Sequence, residues 1–133
     1  MKLKSIALLC AICAQAAHAE NAAVVGTYHG MIWSSGDAPG TTQFFLTPDD
    51  KIAATYIYDS FGDTAEGRLD NCALTKQILR CVWNDEWGSG DFVVAFAADF
   101  SSFSGMWFDD TVSKKRSPKD PEGHVWTGHK NNS

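Results

Sequence analysis

Aromatic residues at the ends of predicted strands have the clearest potential for chemistry in this chain. Trp33 precedes a loop rich in Gly, Ser and Pro, and Trp87 follows Asp85-Glu86 and precedes Gly88. An indole at such a border can stack on a sugar, a peptide or a protein surface, because it combines a large apolar face with one N–H donor. The candidate ligand-binding residues are Trp33, Trp87, Tyr28, Tyr56 and Tyr58.

The alternative interpretation for Trp33 and for Trp87 is that each indole covers the end of the hydrophobic core and binds no ligand. The other three tryptophans lie inside predicted strands beside small residues, and we expect them to fill the core or one barrel end: Trp83, Trp107 and Trp126. If Trp33 and Trp87 share one barrel mouth, a binding patch becomes the better interpretation.

The acidic residues cluster in predicted loops without the spacing of a metal site. The clusters are Asp49-Asp50, Asp59/Asp63/Glu66, Asp85-Glu86 and Asp109-Asp110. Calcium loops supply six or more oxygens, commonly in an alternating Asp pattern with a glycine at the turn, and no cluster here has that pattern. His124 and His129 are an odd number of residues apart, so they face opposite sides of a strand. We therefore expect solvated turn carboxylates, no metal site and no cofactor.

The sequence carries no signature of nucleophilic catalysis and assigns no catalytic residue. It has no G-x-S-x-G motif. A pair of carboxylates, as in glycosidases, could still occur among the sixteen acidic residues, which keeps a small hydrolase as a less favoured alternative. Whether the protein is an enzyme stays open, with a preference for a non-enzyme.

The N-terminus has the pattern of a secretory signal peptide. A basic start, Met1-Lys2-Leu3-Lys4, is followed by an apolar run over 5–14 and by Ala17-His18-Ala19 at the cleavage position. We predict a signal peptide over 1–19, a single domain over 20–133, and a periplasmic or secreted location. The remaining part has no second apolar segment that could span a membrane.

Removal of residues 1–19 makes the protein more acidic. It takes away two of the eleven cations and none of the sixteen acids, so the formal charge changes from −5 to −7. Lys114-Lys115-Arg116 is the only basic cluster that remains. Nucleic-acid binding depends on neutralising phosphates, so we expect no nucleic-acid partner.

Cys72 and Cys81 are predicted to form a structural disulfide. The other two cysteines lie in the predicted signal peptide, and an exported protein meets an oxidising compartment. If Lys76 and Gln77 form a turn, positions 72 and 81 face each other across a hairpin. The ten-residue loop predicts about 2–3 kcal/mol of stabilisation in the chain-entropy model.

The rest of the chain predicts short strands separated by turns. In 51–59, for example, Ile52, Ala54, Tyr56 and Tyr58 alternate with residues of the other face. The predicted strands are 22–33, 41–47, 51–59, 65–72, 77–83, 89–98, 102–108 and 124–130. Short links favour an all-β antiparallel meander, closed as one small barrel of about eight strands, with a β-sandwich as the alternative. The loop 109–123 is unusually long and is expected to be either disordered or a functional lid.

A motif pattern runs from the middle of the chain to its end. It comprises Tyr56-x-Tyr58, Gly67-x-Leu69, Leu79-x-Cys81-x-Trp83, Gly90-x-Phe92-x-x-x-Phe96, Ser102-Phe103-x-Gly105-x-Trp107 and Trp126-x-Gly128. The pattern resembles small exported bacterial β-domains and, more loosely, the avidin and lipocalin barrels, which also begin with a Gly-x-aromatic strand. An avidin-like first strand has Trp and Asn where this chain has Tyr28 and His29. The resemblance therefore implies the barrel architecture and no biotin site.

Three functions follow as hypotheses. The first is a non-enzymatic binding module whose open end or long loop holds a small molecule, a glycan or a protein partner. The second is a periplasmic inhibitor or immunity-type protein that uses its acidic loops against a basic enzyme. The third is the small hydrolase. A hollow barrel would favour a small-molecule ligand, and a filled barrel would favour surface recognition.

Overall fold

The fold is an eight-stranded antiparallel barrel. A computed structural model describes residues 17–112 and 116–130. The strands are β1 (Gly26–Trp33), β2 (Asp37–Leu46), β3 (Ile52–Ser60), β4 (Asp63–Thr75), β5 (Ile78–Asp85), β6 (Gly88–Phe96), β7 (Ser102–Trp107) and β8 (His124–Lys130). Each strand pairs with the next, and β8 pairs with β1 to close the sheet. The predicted meander barrel is confirmed, and the sandwich alternative is wrong.

Side-chain alternation explains why these segments form barrel strands. On β3, Ile52, Ala54 and Tyr56 are buried, whereas Thr55 and Ile57 are exposed. On β6, Phe92, Val94 and Phe96 point inward. Since successive residues of a strand face opposite sides, each strand can supply one apolar row to the interior.

The two ends of the barrel are built from different turns. In an up-and-down meander, alternate connections lie at the same end. The turns β1–β2, β3–β4 and β5–β6 therefore share one end with the β7–β8 connection, and we call this the open end. The turns β2–β3, β4–β5 and β6–β7 lie at the other end, here called the closed end, together with the start of β1.

The closed end is filled by an aromatic cluster. The rings of Tyr28, Phe44, Phe96 and Phe103 contact one another at centroid distances between 5.3 and 5.9 Å, mostly edge to face. The Tyr28 hydroxyl lies 2.9 Å from the carbonyl oxygen of Val24 and 3.0 Å from that of Phe100. Such edge-to-face packing with a satisfied hydroxyl makes this end a solid plug.

The predicted disulfide between Cys72 and Cys81 is confirmed, and a bulge makes it possible. The turn lies at Lys76–Gln77 as predicted, and the Cα atoms of the two cysteines are 4.1 Å apart. The pairing of β4 with β5 shifts between Asp70 and Ala73, where Asn71 has a φ of 54°. Before this bulge the odd-numbered residues of β4 face the interior, and after it the even-numbered residues do. Cys72 therefore faces Cys81.

The long β7–β8 connection packs on the outer wall of the barrel. We call residues 108–112 and 116–123 the strap. The Asp91 backbone N–H donates to the Asp110 carbonyl oxygen, and the Phe108 backbone N–H donates to the Asp91 carbonyl oxygen. The Arg116 guanidinium donates to the Asp91 carboxylate at 3.2 Å. Arg116 also lies 4.1 Å from the Phe108 ring centroid. The described part of the connection is therefore bound to the wall of β6, and only Asp109, next to Phe108, lines the cavity described below.

The N-terminal part of the described chain is a helix over residues 17–24. Val24 is fully buried, and the Asn21 side chain donates to the Asp50 carbonyl oxygen in the β2–β3 turn at 3.2 Å. The predicted signal peptide lies outside the described residues over 1–16, and its predicted cleavage position falls within this helix. Among the described residues, no helix has the length and apolar character needed to cross a membrane.

Candidate binding cavity at the open end

The open end of the barrel contains a cavity of about 570 Å³. All five tryptophans of the chain line it, together with Tyr56, Tyr58 and Phe61. The tryptophans come from distant parts of the sequence and are Trp33, Trp83, Trp87, Trp107 and Trp126. The barrel is therefore filled at one end and hollow at the other.

Trp126 of β8 forms the floor of the cavity. It is 2% exposed, and its ring lies edge to face with those of Tyr56 and Phe92 at 4.8 and 4.7 Å. Its indole N–H donates to the hydroxyl of Thr42, itself 1% exposed, at 3.0 Å. This buried bond fixes the indole, because a buried N–H without an acceptor is costly.

Asp85, at the end of β5, holds the wall of the cavity together. One carboxylate oxygen accepts the Tyr56 hydroxyl at 2.8 Å, and the other accepts the Trp87 backbone N–H at 2.8 Å. Gly67 lies between Tyr56 and Asp85 in register, and a Cβ at Gly67 would collide with the Tyr56 ring. The missing side chain thus lets the phenol reach across β4 to the carboxylate.

The two tyrosines of the cavity stay neutral over a wide pH range. Burial raises the pKa of Tyr56, and the hydrogen bond to Asp85 raises it further. Burial also raises the pKa of Tyr58, with a smaller contribution from the charge of Asp85. Both phenols therefore act as neutral polar groups near neutral pH.

Two large side chains project from the rim. Phe61 in the β3–β4 turn is 85% exposed, and Trp87 in the β5–β6 turn is 69% exposed. Phe61 has a φ of 53°, in the left-handed region that glycine and asparagine normally occupy in such two-residue turns. A bulky residue in this conformation costs stability. Phe100 in the β6–β7 turn at the closed end has a similar φ of 58°.

A second aromatic group forms the side of the mouth next to β8. The Trp33 ring stacks on the His124 imidazole at 4.8 Å with an interplanar angle of 10°. The Trp107 ring lies 4.4 Å from the same imidazole, and its N–H donates to the Trp33 carbonyl oxygen at 3.1 Å. His124 also lies 3.3 Å from Asp109. The stack holds Trp33 in place although 36% of its surface is exposed.

The structure brings four of the five candidate binding residues together. Trp33, Trp87, Tyr56 and Tyr58 all line the cavity. Tyr28 lies instead in the closed-end cluster, fully buried. The condition set from the sequence for a binding patch, that Trp33 and Trp87 share one mouth, is met.

The three tryptophans expected to fill the core do so and also line the cavity. Trp83 and Trp126 are buried and Trp107 is half-buried. The Trp83 indole donates to the Phe108 carbonyl oxygen at 2.7 Å, and its ring lies edge to face with that of Trp107 at 5.4 Å. The same three tryptophans therefore pack in the core and line the cavity.

Sequence reasoning missed Phe61, Asp85 and Asp109 as lining residues. Phe61 lies between the predicted strands 51–59 and 65–72, and the sequence predicts only solvated turn carboxylates for the two acids. A usable signal was present, because alternate turns of a meander share one barrel end. Counting turns from Trp33 places 60–63, 85–88 and the residues after Trp107 at the same mouth.

The charged side chains that line the cavity are acidic. Asp63, Asp85, Glu86 and Asp109 contribute to the lining, and no Lys or Arg of the described residues does. Within 17–112 and 116–130, no three His, Cys, Asp or Glu side chains are grouped so that they could hold a metal ion.

A scan against protein-family models, a search of curated proteins and a search of solved structures each gave no match to this chain.

Proposed function

We propose that this protein is an exported, non-enzymatic binding module that holds a small organic ligand at the open end of its barrel. The observation that carries the proposal is the cavity of about 570 Å³ lined by every tryptophan of the chain. Ligand pockets are commonly about 300–1,000 Å³ and mostly apolar, with a few polar groups that orient the ligand. Asp85 and the two phenols supply those polar groups here.

The arrangement of the barrel supports binding over a purely structural role for the aromatic residues. The closed-end cluster shows that a barrel of this size can fill its interior with Tyr and Phe rings. At the open end the five indoles line a cavity and do not fill it. A periplasmic or secreted location, where the disulfide would be maintained, belongs to the same proposal.

The test is a titration of the intrinsic tryptophan fluorescence with periplasmic small molecules and glycans. We expect saturable quenching by at least one compound. The variants Trp33→Ala and Trp87→Ala should each raise its Kd by about tenfold, because stacking residues dominate such sites.

Phe45→Ala is the matched control, because Phe45 lies on the outer face of β2, is 41% exposed and does not line the cavity. This variant should bind as the wild type does. If no compound in the screen gives saturable quenching, or if the two Trp variants bind as Phe45→Ala does, the proposal is wrong.

A second candidate function is an inhibitor or immunity-type protein that docks the open end on a basic partner. The exposed Phe61, together with Trp87, favours it, since large aromatic residues at a rim commonly anchor protein interfaces. Asp63 and Glu86 on the same turns would supply charge complementarity.

Affinity capture from periplasmic extract of the host distinguishes this candidate. A partner should bind wild type and Phe45→Ala at low salt, and Phe61→Ala should lose most of it. Capture that persists unchanged at high salt would contradict the electrostatic form of this candidate.

A further inference from the structure

The charges and rings around the cavity point to one chemical class of ligand. Resting on the proposed function, we infer that the cavity binds an organic cation, an ammonium group that carries apolar substituents. Three features of the lining support this: its aromatic faces, its carboxylates and the fixed geometry of Asp85.

The aromatic lining is suited to a poorly hydrated cation. Eight aromatic side chains line the cavity, five of them indoles. Each ring has a negative face that attracts a cation, the indole most strongly, and substituted ammonium groups are commonly bound inside cages of such rings. An inorganic ion would lose its water there without gaining enough oxygen ligands.

The charge of the lining excludes anions and favours cations. Four carboxylates contribute to the lining, and in the described part of the chain no lysine or arginine side chain opposes them. Tyr56 and Tyr58 add no charge of their own near neutral pH, so the negative potential comes from these carboxylates. A partly enclosed site with low-dielectric walls strengthens such a potential relative to an open surface.

Asp85 is the carboxylate best placed to receive the cation. It is half-buried, and each of its oxygens already accepts one hydrogen bond, from Tyr56 or from the Trp87 backbone. Each carboxylate oxygen has two acceptor positions, so one remains on each for an ammonium group that has an N–H. A quaternary ammonium group has no N–H and is attracted by the negative charge alone. Because these bonds fix the carboxylate before the ligand arrives, little ordering is needed on binding.

Three probes of similar size and different charge test the inference on the purified protein. They are benzyltrimethylammonium, benzyl alcohol and benzenesulfonate, followed by tryptophan fluorescence and by calorimetry at low and high salt. We expect the cation to bind about tenfold or more tightly than benzyl alcohol, and benzenesulfonate to give no saturable change.

Asp85→Asn removes the charge. Its amide oxygen can accept the Trp87 backbone N–H, and its NH2 group can donate to the Tyr56 hydroxyl, which is able to accept as well as donate. It should raise the Kd of the cation about tenfold and leave the Kd of benzyl alcohol unchanged. Asp49→Asn, in the β2–β3 turn at the closed end, removes the same charge outside the cavity and should change neither value. Far-UV circular dichroism checks that each variant is folded.

Glu86→Gln gives an independent measurement if Asp85→Asn does not fold. Glu86 is exposed on the rim, so its replacement should raise the Kd of the cation only about threefold at low salt, and less at high salt. An unchanged Kd in whichever of the two variants can be measured overturns the inference.

The inference is also overturned if the cation gives no saturable response at millimolar concentration, or binds no more tightly than benzyl alcohol. In either case, saturable quenching by an uncharged compound that Trp87→Ala weakens would leave the proposed function standing. A further measurement distinguishes a cation carried on a protein side chain from a free small molecule. A short peptide with one central trimethyllysine should bind more tightly than benzyltrimethylammonium if the natural cation is carried by a protein, and more weakly if it is a free small molecule.

Discussion

Single hydrogen bonds fix the aromatic residues of the open end. The Trp126 indole of β8 donates to Thr42 of β2 across β1, and the Tyr56 phenol of β3 donates to Asp85 of β5 across β4. An aromatic ring with only apolar contacts can pack in several orientations, whereas a ring with one buried polar partner has one satisfied orientation. The floor and the wall of the cavity are therefore defined at the level of individual donors and acceptors.

Thr42→Val tests this at the residue scale. Valine has nearly the shape of threonine but offers no acceptor, so the Trp126 N–H would be left unpaired in a buried position. We expect the free energy of unfolding to fall by about 1–3 kcal/mol, measured by urea denaturation. Thr42→Ser keeps the hydroxyl and loses only a methyl group, which costs about 1 kcal/mol. A Thr42→Val protein as stable as the wild type would contradict the assigned role of the bond.

The elements differ in how they are held. The β4–β5 hairpin is closed by a covalent bond at its bulge, between Cys72 and Cys81. The strap has no regular pairing and depends on Asp91, which receives donors from Val112 and Arg116. The strap also contacts β5, because the Arg80 guanidinium on its outer face donates to the Arg116 carbonyl oxygen at 3.0 Å. The described residues of the loop 109–123, which the sequence predicted to be either disordered or a functional lid, are therefore bound to the outer wall of the barrel.

Reduction of the disulfide should weaken the hairpin by an amount that the loop length predicts. The bond closes a ten-residue loop, so reducing agent should lower the free energy of unfolding by about 2–3 kcal/mol. The double variant Cys72→Ala/Cys81→Ala should show a similar loss and no further response to reductant. Urea denaturation with and without dithiothreitol measures both. A wild-type protein whose stability is unaffected by complete reduction would contradict this expectation.

At the scale of the whole molecule, the three tyrosines link stability to alkaline pH. Burial raises the pKa of Tyr28, of Tyr56 and of Tyr58, and no further tyrosine occurs in the chain. In the unfolded chain a tyrosine ionises near pH 10. The stability that comes from keeping these phenols protonated is thus fully present below about pH 10 and is lost as the pH rises above that value.

We therefore expect the barrel to unfold cooperatively in alkali. The free energy of unfolding should fall by up to about 1.4 kcal/mol per pH unit for each protonated phenol above pH 10. Absorbance at the tyrosinate band should rise together with the loss of far-UV circular dichroism, whereas the urea-unfolded chain should titrate near pH 10. Tyr56→Phe should make the stability loss less steep. Phenols that ionise near pH 10 in a folded protein would contradict the assignment.

The sequence by itself determined the features that depend on near neighbours. Alternation of apolar residues placed the strands, and β8 has the predicted bounds of 124–130. The short spacing of Cys72 and Cys81 around a two-residue turn determined the disulfide. Short links between consecutive strands determined the meander, because strands that follow each other closely in sequence pair in space.

Only the tertiary structure decided which aromatic residues meet. Tyr28 and Tyr56 both occupy inward positions on strands, and alternation cannot separate them, yet one lies in the closed-end plug and the other lines the cavity. The difference is the height of each residue in the closed barrel, set by the register of all eight strands. The same register places Tyr56, Gly67 and Asp85 in one row across three strands. Local patterns carry no information on such a row, because its members are brought together by sheet pairing and not by their spacing along the chain.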